Sequence, residues 1–151
     1  MNHAFDVTVA SEKDLTKIIP MFCNYRLFYQ KPISPSEAQT YLAMRMNKKE
    51  SVILIASTPL TSLGFIQLYP TFCSLLTRPI YVLYDLYVEK DYRRSGVAKA
   101  MMQFAEEVAR ANGMAQITLT TAHTNVNAQA LYHSLGYVKD LEFATFTKLL
   151  D

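Results

Sequence analysis

The stretch Arg93-Arg94-Ser95-Gly96-Val97-Ala98 has the makings of an anion grip. It is small, flexible and doubly basic, and Lys99 follows at once. A helix that starts here turns its first amides outward without partners, and its dipole adds partial positive charge to Arg93, Arg94 and Lys99. Gly96 lacks the Cβ that would keep a ligand from the backbone. The ligand that suits such a turn is a phosphate, and a pyrophosphate best of all. Alone, the string also reads as an ordinary glycine near a helix start beside a solvated arginine pair.

The elements on either side decide how the turn is presented. Ile80 to Val88 is rich in β-branched and aromatic residues and predicts a strand, whereas Val97, Ala100, Met101, Phe104, Ala105, Val108 and Ala111 recur at helical spacing. Downstream, Gln116 to Thr121 predicts a second strand, and Asn125 caps a further helix that ends in Leu135-Gly136-Tyr137. The strand ending Leu86-Tyr87-Val88, the R-x-x-G-x-A turn and the N-x-x-A-x-x-x-Y helix stand in the order and spacing of a known family. Over about residues 80 to 137 the sequence resembles the GNAT superfamily of acetyl-CoA-dependent N-acetyltransferases.

That resemblance implies roles residue by residue. Amides of Arg94 to Lys99 would hold the pyrophosphate of acetyl-CoA, with Arg93 and Arg94 as helpers, so the binding set runs Arg93, Arg94, Ser95, Gly96, Val97, Ala98, Lys99. The open peptide edge of Leu86, Tyr87 and Val88 would take the pantetheine arm and thioester, and the cofactor would enter where strands 80–88 and 115–121 splay apart. Asn125 would contact the pantetheine arm, cap its helix, or do both. Tyr132 matches the general acid that protonates the departing thiolate, a task open to a phenol protonated at neutral pH; its other reading is core packing beside Leu131 and Leu135.

A base is needed as well. Taking a proton from a primary ammonium at neutral pH costs on the order of 4 kcal/mol unless something accepts it. Asp85, an acid inside an apolar strand, is the candidate; desolvation would raise its pKa. It could instead pair with the substrate ammonium or with a neighbouring arginine. Glu89 and Glu142 are weaker candidates, His123 could relay a proton, and His133 is expected to face away from Tyr132.

With 10 tyrosines and no tryptophan, the chain offers Tyr25, Arg26, Phe28 and Tyr29 on a first helix, Tyr69 at a strand end, and Tyr81, Tyr84 and Tyr87 on the central strand. Tyr25, Arg26, Tyr29, Tyr69 and Asp85 are the expected acceptor site. Aromatic faces with an acid suit a cationic amine, and Arg26 suits a substrate that also carries a carboxylate. These segments are similar to a GNAT branch that includes small-amine, amino-acid and histone-type acetyltransferases, which leaves polyamine, amino acid, aminoglycoside and lysine side chain open as acceptors. A catalytically degenerate acyl-CoA-binding sensor is the alternative; Tyr132 at the matching place argues against it. A nucleotide-binding domain is disfavoured, because the turn lacks the P-loop G-K-[ST] and the three-glycine dinucleotide fingerprint.

A length of 151 residues, half of them hydrophobic, predicts a single domain with a continuous core over 1–151. Formal net charge is +2, too little for a nucleic-acid partner, and no apolar run approaches the roughly 20 residues that span a bilayer. A cytoplasmic protein is expected. Cys23 and Cys73 suggest neither a disulfide framework nor a zinc site, so no metal is expected.

Elsewhere, Phe5 to Ala10 alternates as a strand, and Ser11 with Asp14 opens a helix carrying Leu15, Ile18, Ile19, Phe22, Tyr25 and Tyr29, with a break or kink at Pro20. Ser34-Pro35-Ser36-Glu37 opens a second helix, to about Met46. Residues 51–56 and 63–69 predict an antiparallel hairpin ended by Pro70, and 71–79 a loop. Gly113 and Gly136 are expected C-caps. Tyr137-Val138 and Phe143 to Leu150 are expected as final strands, the last an edge that could pair two copies into a homodimer. The order implies an α+β fold with one mixed, mainly antiparallel sheet flanked by helices.

Overall fold

A computed structural model describes residues 4–150, which divide after Thr120 into two compact units. In the first, strand β1 (Asp6–Val9) leads to Ser11, whose N–H donates to the Asp14 carboxylate at 2.9 Å. A single 3-10 turn follows, then helix α1 (Leu15–Phe28), which buries Leu15, Ile18, Met21 and Phe22. The break expected at Pro20 does not occur; the helix runs through it. Proline removes one bond to the carbonyl four residues back, but buried side chains on both sides hold the turn. Helix α2 (Pro35–Asn47) starts as expected, with Ser34 Oγ accepting the Glu37 N–H at 3.2 Å and the Glu37 carboxylate accepting the Ser34 N–H at 3.1 Å.

Strands β2 (Val52–Ser57) and β3 (Ser62–Cys73) form the expected antiparallel hairpin, and β4 (Arg78–Val88) lies antiparallel to β3. Two expectations fail here. Strand β3 does not stop at Pro70, and 71–79 is no loop, because the ladder continues from Pro70↔Tyr81 to Cys73↔Arg78. The β2 ladder has its last pair at Val52↔Leu68, so past that point β3 has an open side on which the missing proline N–H costs no ladder bond.

Helix α3 (Val97–Ala111) buries Val97, Met101, Met102, Ala105 and Ala109, and the chain leaves it through Gly113 at φ +71°. Strand β5 (Ile117–Leu119) then runs parallel to β4, which completes a sheet of order β1-β2-β3-β4-β5, antiparallel except for that last pair. Helices α1 and α2 pack on Ile53, Ile55 and Phe65. Alternation puts Gly64 on the opposite face, where a Cβ would meet Met101 of α3 at 3.0 Å and the Tyr87 carbonyl at 2.5 Å. Only glycine lets the helix and the strands approach so closely.

The second unit holds helix α4 (Val126–Ser134), followed by Gly136 at φ +85°. The two final strands expected at 137–138 and 143–150 are absent: residues 137–150 belong to no strand. Phe143 and Phe146 fall on opposite sides of any extended chain, so the segment has no single apolar face with which to register on a sheet, and both rings are exposed. The edge strand that suggested a homodimer is therefore not formed.

Candidate functional site

The turn between β4 and α3 has the geometry of an anion cradle. Gly96 adopts φ +87° and Arg94 φ +61°, both left-handed, so the chain reverses sharply into the helix. Ala100 donates the first helical bond, to the Gly96 carbonyl at 3.0 Å. The Arg93 N–H donates to the Lys90 carbonyl at 3.4 Å, and residues 93–96 form the turn that leads into the first turn of α3. The N-terminus of a helix carries the positive end of its dipole, so the turn presents partial positive charge of the kind expected for an anion site. Ser95 Oγ donates to the Tyr92 carbonyl and closes the turn. Arg93 is turned back onto the strand: its Nε donates to the Val88 carbonyl at 2.9 Å, and its guanidinium lies 5.7 Å from the Tyr87 ring centroid. Arg94 and Lys99, like Arg93, are exposed.

The ladder between the parallel strands is short. Their ladder covers only Tyr81↔Ile117, Val82↔Thr118 and Leu83↔Leu119. On the other side of β4, Gln67 pairs with Asp85 and Leu68 with Leu83, which makes Tyr84 an extra, bulged residue. A bulge increases twist and re-aims the strand. From Tyr84 onward β4 has no ladder toward β5, so Leu86, Tyr87 and Val88 form an edge of the kind expected for a pantetheine arm, with the Val88 carbonyl already engaged by Arg93.

Around the bulge the fold gathers most of the expected acceptor residues. Asp85 is 3% exposed, and Gln67 Nε2 donates to its Oδ2 at 2.6 Å. Burial pushes the Asp85 carboxyl above the usual aspartate range, opposed by the Gln67 amide, the Tyr25 hydroxyl and the Arg26 charge. Tyr25 Oη also donates to the Tyr84 carbonyl at 3.2 Å, sharing its one proton between that oxygen and the carboxylate. Tyr69 meets the Tyr41 hydroxyl at 2.6 Å and stands edge-on to Tyr84 at 5.8 Å. Burial raises the phenols of Tyr25 and Tyr69 well above their ordinary range, so both stay protonated and neutral. Tyr29 packs edge-on against Tyr25 at 5.1 Å, and Arg26 Nε donates to the Lys31 carbonyl at 2.8 Å.

Other candidates have different work. Tyr81 is buried and accepts from Asn112 Nδ2 at 2.8 Å, tying β4 to the end of α3. Glu89 accepts from the Tyr87 hydroxyl at 3.1 Å, whereas Glu142, His123 and His133 are exposed. Cys23 packs against the core, and no cluster of three metal-binding side chains occurs among the described residues. In the second unit the Asn125 side-chain oxygen, Oδ1, accepts the Ala128 N–H at 3.2 Å as a helix cap, and Tyr132 is half-buried with its ring 6.1 Å from that of Tyr137. Gln67 and Tyr41 were not foreseen. The signal for Gln67 was a lone amide within the apolar run Phe65-Ile66-Gln67-Leu68.

This turn, open strand edge and buried acid sit in a chain whose residues 19–137 match the model of the acetyltransferase (GNAT) family. It is 37% identical over 141 residues to the uncharacterized N-acetyltransferase YhfO of Bacillus subtilis, covering 93% of this chain and 95% of that one. It superposes on the crystal structure of a probable acetyltransferase with a TM-score of 0.89 at 34% identity, over 97% and 98% of the two chains. The aminoglycoside acetyltransferase meta-AAC0020, from a soil metagenomic sample, superposes with a TM-score of 0.84 over 99% of each chain but at 18% identity, a likeness of fold alone. The chain belongs to the GNAT family and is an N-acetyltransferase, of a family that uses acetyl-CoA. No helix among the described residues is long and apolar enough to cross a membrane.

Proposed function

We propose that the enzyme transfers the acetyl group of acetyl-CoA to a cationic primary amine, of the polyamine, amino-acid, aminoglycoside or lysine-side-chain kind, by direct attack. The observation that carries this reading is the buried Asp85 carboxylate beside the Tyr25 hydroxyl, next to the bulge where Tyr69 stands edge-on to Tyr84. A buried acid among aromatic faces attracts an ammonium group and can accept its proton.

An ammonium that becomes a secondary amide loses two protons. In our assignment Asp85 takes one and passes it to solvent, the nitrogen bonds to the carbonyl carbon, and the carbon–sulfur bond breaks. Tyr132 is assigned to give its phenolic proton to the departing thiolate, and the second proton lost from nitrogen restores it through solvent. Bound acetyl-CoA supplies the activated acyl carbon. The turn Arg93 to Lys99 anchors its diphosphate, and Leu86, Tyr87, Val88 and Asn125 align its arm. Tyr25, Arg26, Tyr29 and Tyr69 orient the acceptor. The reaction belongs in the cytoplasm, where acetyl-CoA is available.

Thiol release from acetyl-CoA tests the reading, with spermidine, free amino acids, an aminoglycoside and lysine peptides as acceptors. Release is expected with at least one of these amines and not with the matching alcohol. No release with any of them would remove the amine-acetylation reading. We also propose a homodimer, because Phe143, Phe146, Leu149 and Leu150 lie exposed and a second copy would cover them. Light scattering should give about twice the 17.2 kDa of one chain.

A further inference from the structure

We propose that Gln67 is the positioning residue of the acceptor-activating carboxylate: its amide holds Asp85 ionised in one orientation and so sets the pH above which the incoming amine can be deprotonated. This rests on the reading of Asp85 as proton acceptor. The two residues are directly opposite on the β3–β4 ladder, at the last pair before the bulge, so both backbones are fixed. Gln67 is 0% exposed, and its Nε2 lies 2.6 Å from Asp85 Oδ2. At that distance and burial the donor favours the carboxylate over the neutral acid.

The other end of the same amide supports this assignment. Gln67 Oε1 is buried and has no hydrogen-bond partner among the described residues. An amide serving only to fill the sheet interior would be expected to satisfy both ends or be replaced by an apolar residue. Here the carbonyl is left without a donor so that the N–H can face the carboxylate. Turning the amide over would put two oxygens against each other. The other groups that face Asp85 do not substitute for it. From α1 come the Tyr25 hydroxyl, shared with the Tyr84 carbonyl, and the Arg26 charge, engaged through Nε with Lys31; from β3 comes Tyr69, bonded to Tyr41. Tyr29 and Tyr84 act one step further out, through Tyr25.

Carbon-13 NMR titration of the Asp85 carboxyl tests this in the full chain, its signal identified by loss in Asp85→Asn. Gln67→Met keeps length and volume but removes the donor. We expect the Asp85 midpoint to rise by about one unit, a tenfold loss of ionised fraction at a given acid pH. The acidic limb of kcat/KM for spermidine should move up by the same amount, with KM for acetyl-CoA unchanged. An unmoved or lowered midpoint in a folded Gln67→Met protein overturns the proposal, because a merely structural glutamine changes melting temperature and not titration. A raised midpoint with an unmoved limb supports the hold of Gln67 on Asp85 and removes Asp85 as base. If Gln67→Met does not fold, Gln67→Glu provides the second reading. Two acids at this distance must share a proton, so the pair's upper midpoint should rise further, and a midpoint left at the wild-type value overturns the proposal.

Discussion

Tyr25 Oη donates to the backbone carbonyl of Tyr84, and this 3.2 Å bond ties helix α1 to the one bulged residue of β4. The carbonyl belongs to the residue at which β4 loses its ladder to β5. A single side chain from the first helix thus holds the strand where its edge opens, and borders the buried acid with the same hydroxyl. Tyr25→Phe keeps the ring and its packing on Phe22 and Phe65 but leaves the carbonyl without this donor. Stability should fall by about 1 kcal/mol. Urea unfolding should show a lower midpoint at unchanged m-value; an unchanged midpoint would mean that water replaces the hydroxyl at no cost.

Burial raises the Asp85 carboxyl, so the folded protein holds that proton more tightly than the unfolded chain does. Below the ordinary aspartate range both states are protonated and nothing is lost. As pH rises through that range and on through the raised folded value, the unfolded chain gives up its proton first, and stability declines. Asn cannot ionise, yet it still offers Gln67 an acceptor. The melting temperature of Asp85→Asn minus that of wild type should therefore be small near about pH 4 and grow positive toward pH 8. Turnover should fall mainly near neutral pH, with partial recovery at high pH where the amine arrives deprotonated. A melting difference that is flat with pH would show that Asp85 ionises in the fold as freely as in the unfolded chain.

Local signals carried most of this architecture. The Ser34–Glu37 capping box, Gly113 at the end of α3 and the turn before α3 are formed by residues a few positions apart, and each appears where its chemistry predicted. What was not legible depends on partners distant in sequence. Pro70 reads as a strand end until one knows that β2 has already stopped beside it. Gln67 reads as one polar residue in an apolar run until the ladder sets it opposite Asp85. Tyr84 reads as one more tyrosine of the central strand until the ladder shows it to be the bulged residue, with its ring exposed. The apolar residues from Phe143 to Leu150 suggested a strand by type, but their spacing gives no single face.

Gly64 is required by the close approach of α3 to the sheet. A Cβ there would lie 2.5 Å from the Tyr87 carbonyl oxygen and 3.2 Å from Val88 Cα, both backbone atoms of the edge proposed for the pantetheine arm. Met101 can turn away, but that carbonyl cannot yield without moving β4. Gly64→Ala should cost about 1 to 3 kcal/mol in stability and weaken acetyl-CoA binding as well. Chemical denaturation and calorimetry measure the two effects, and a variant as stable as wild type would show that β4 moves more freely than its ladders suggest.

Gly96 and Gly113 separate strain from ligand approach. Both have left-handed φ, +87° and +71°, and an added Cβ at either would meet no atom within 4 Å. Alanine at each should therefore cost about 1 kcal/mol in stability, from backbone conformation alone. Only Gly96 lies in the proposed diphosphate turn. Calorimetry should show weaker acetyl-CoA binding by Gly96→Ala and unchanged binding by Gly113→Ala. Equal affinities in the two variants would remove the Gly96 amide region from the binding site.

Tyr132 is assigned the proton that the thiolate gains, and its variant should separate binding from chemistry. Tyr132→Phe removes the hydroxyl and keeps the ring that packs 6.1 Å from Tyr137, so helix α4 should stay in place. Acetyl-CoA affinity should hardly change. Turnover should fall by roughly 10² to 10⁴, the range for a general acid whose loss leaves solvent to do the work. The loss should appear in kcat and kcat/KM together, because the phenol interacts with sulfur only as charge develops on it. Single-turnover measurements establish whether chemistry limits the rate. If it does and Tyr132→Phe turns over as fast as wild type, the acid is not Tyr132, and the thiolate takes its proton from water or from the amine itself.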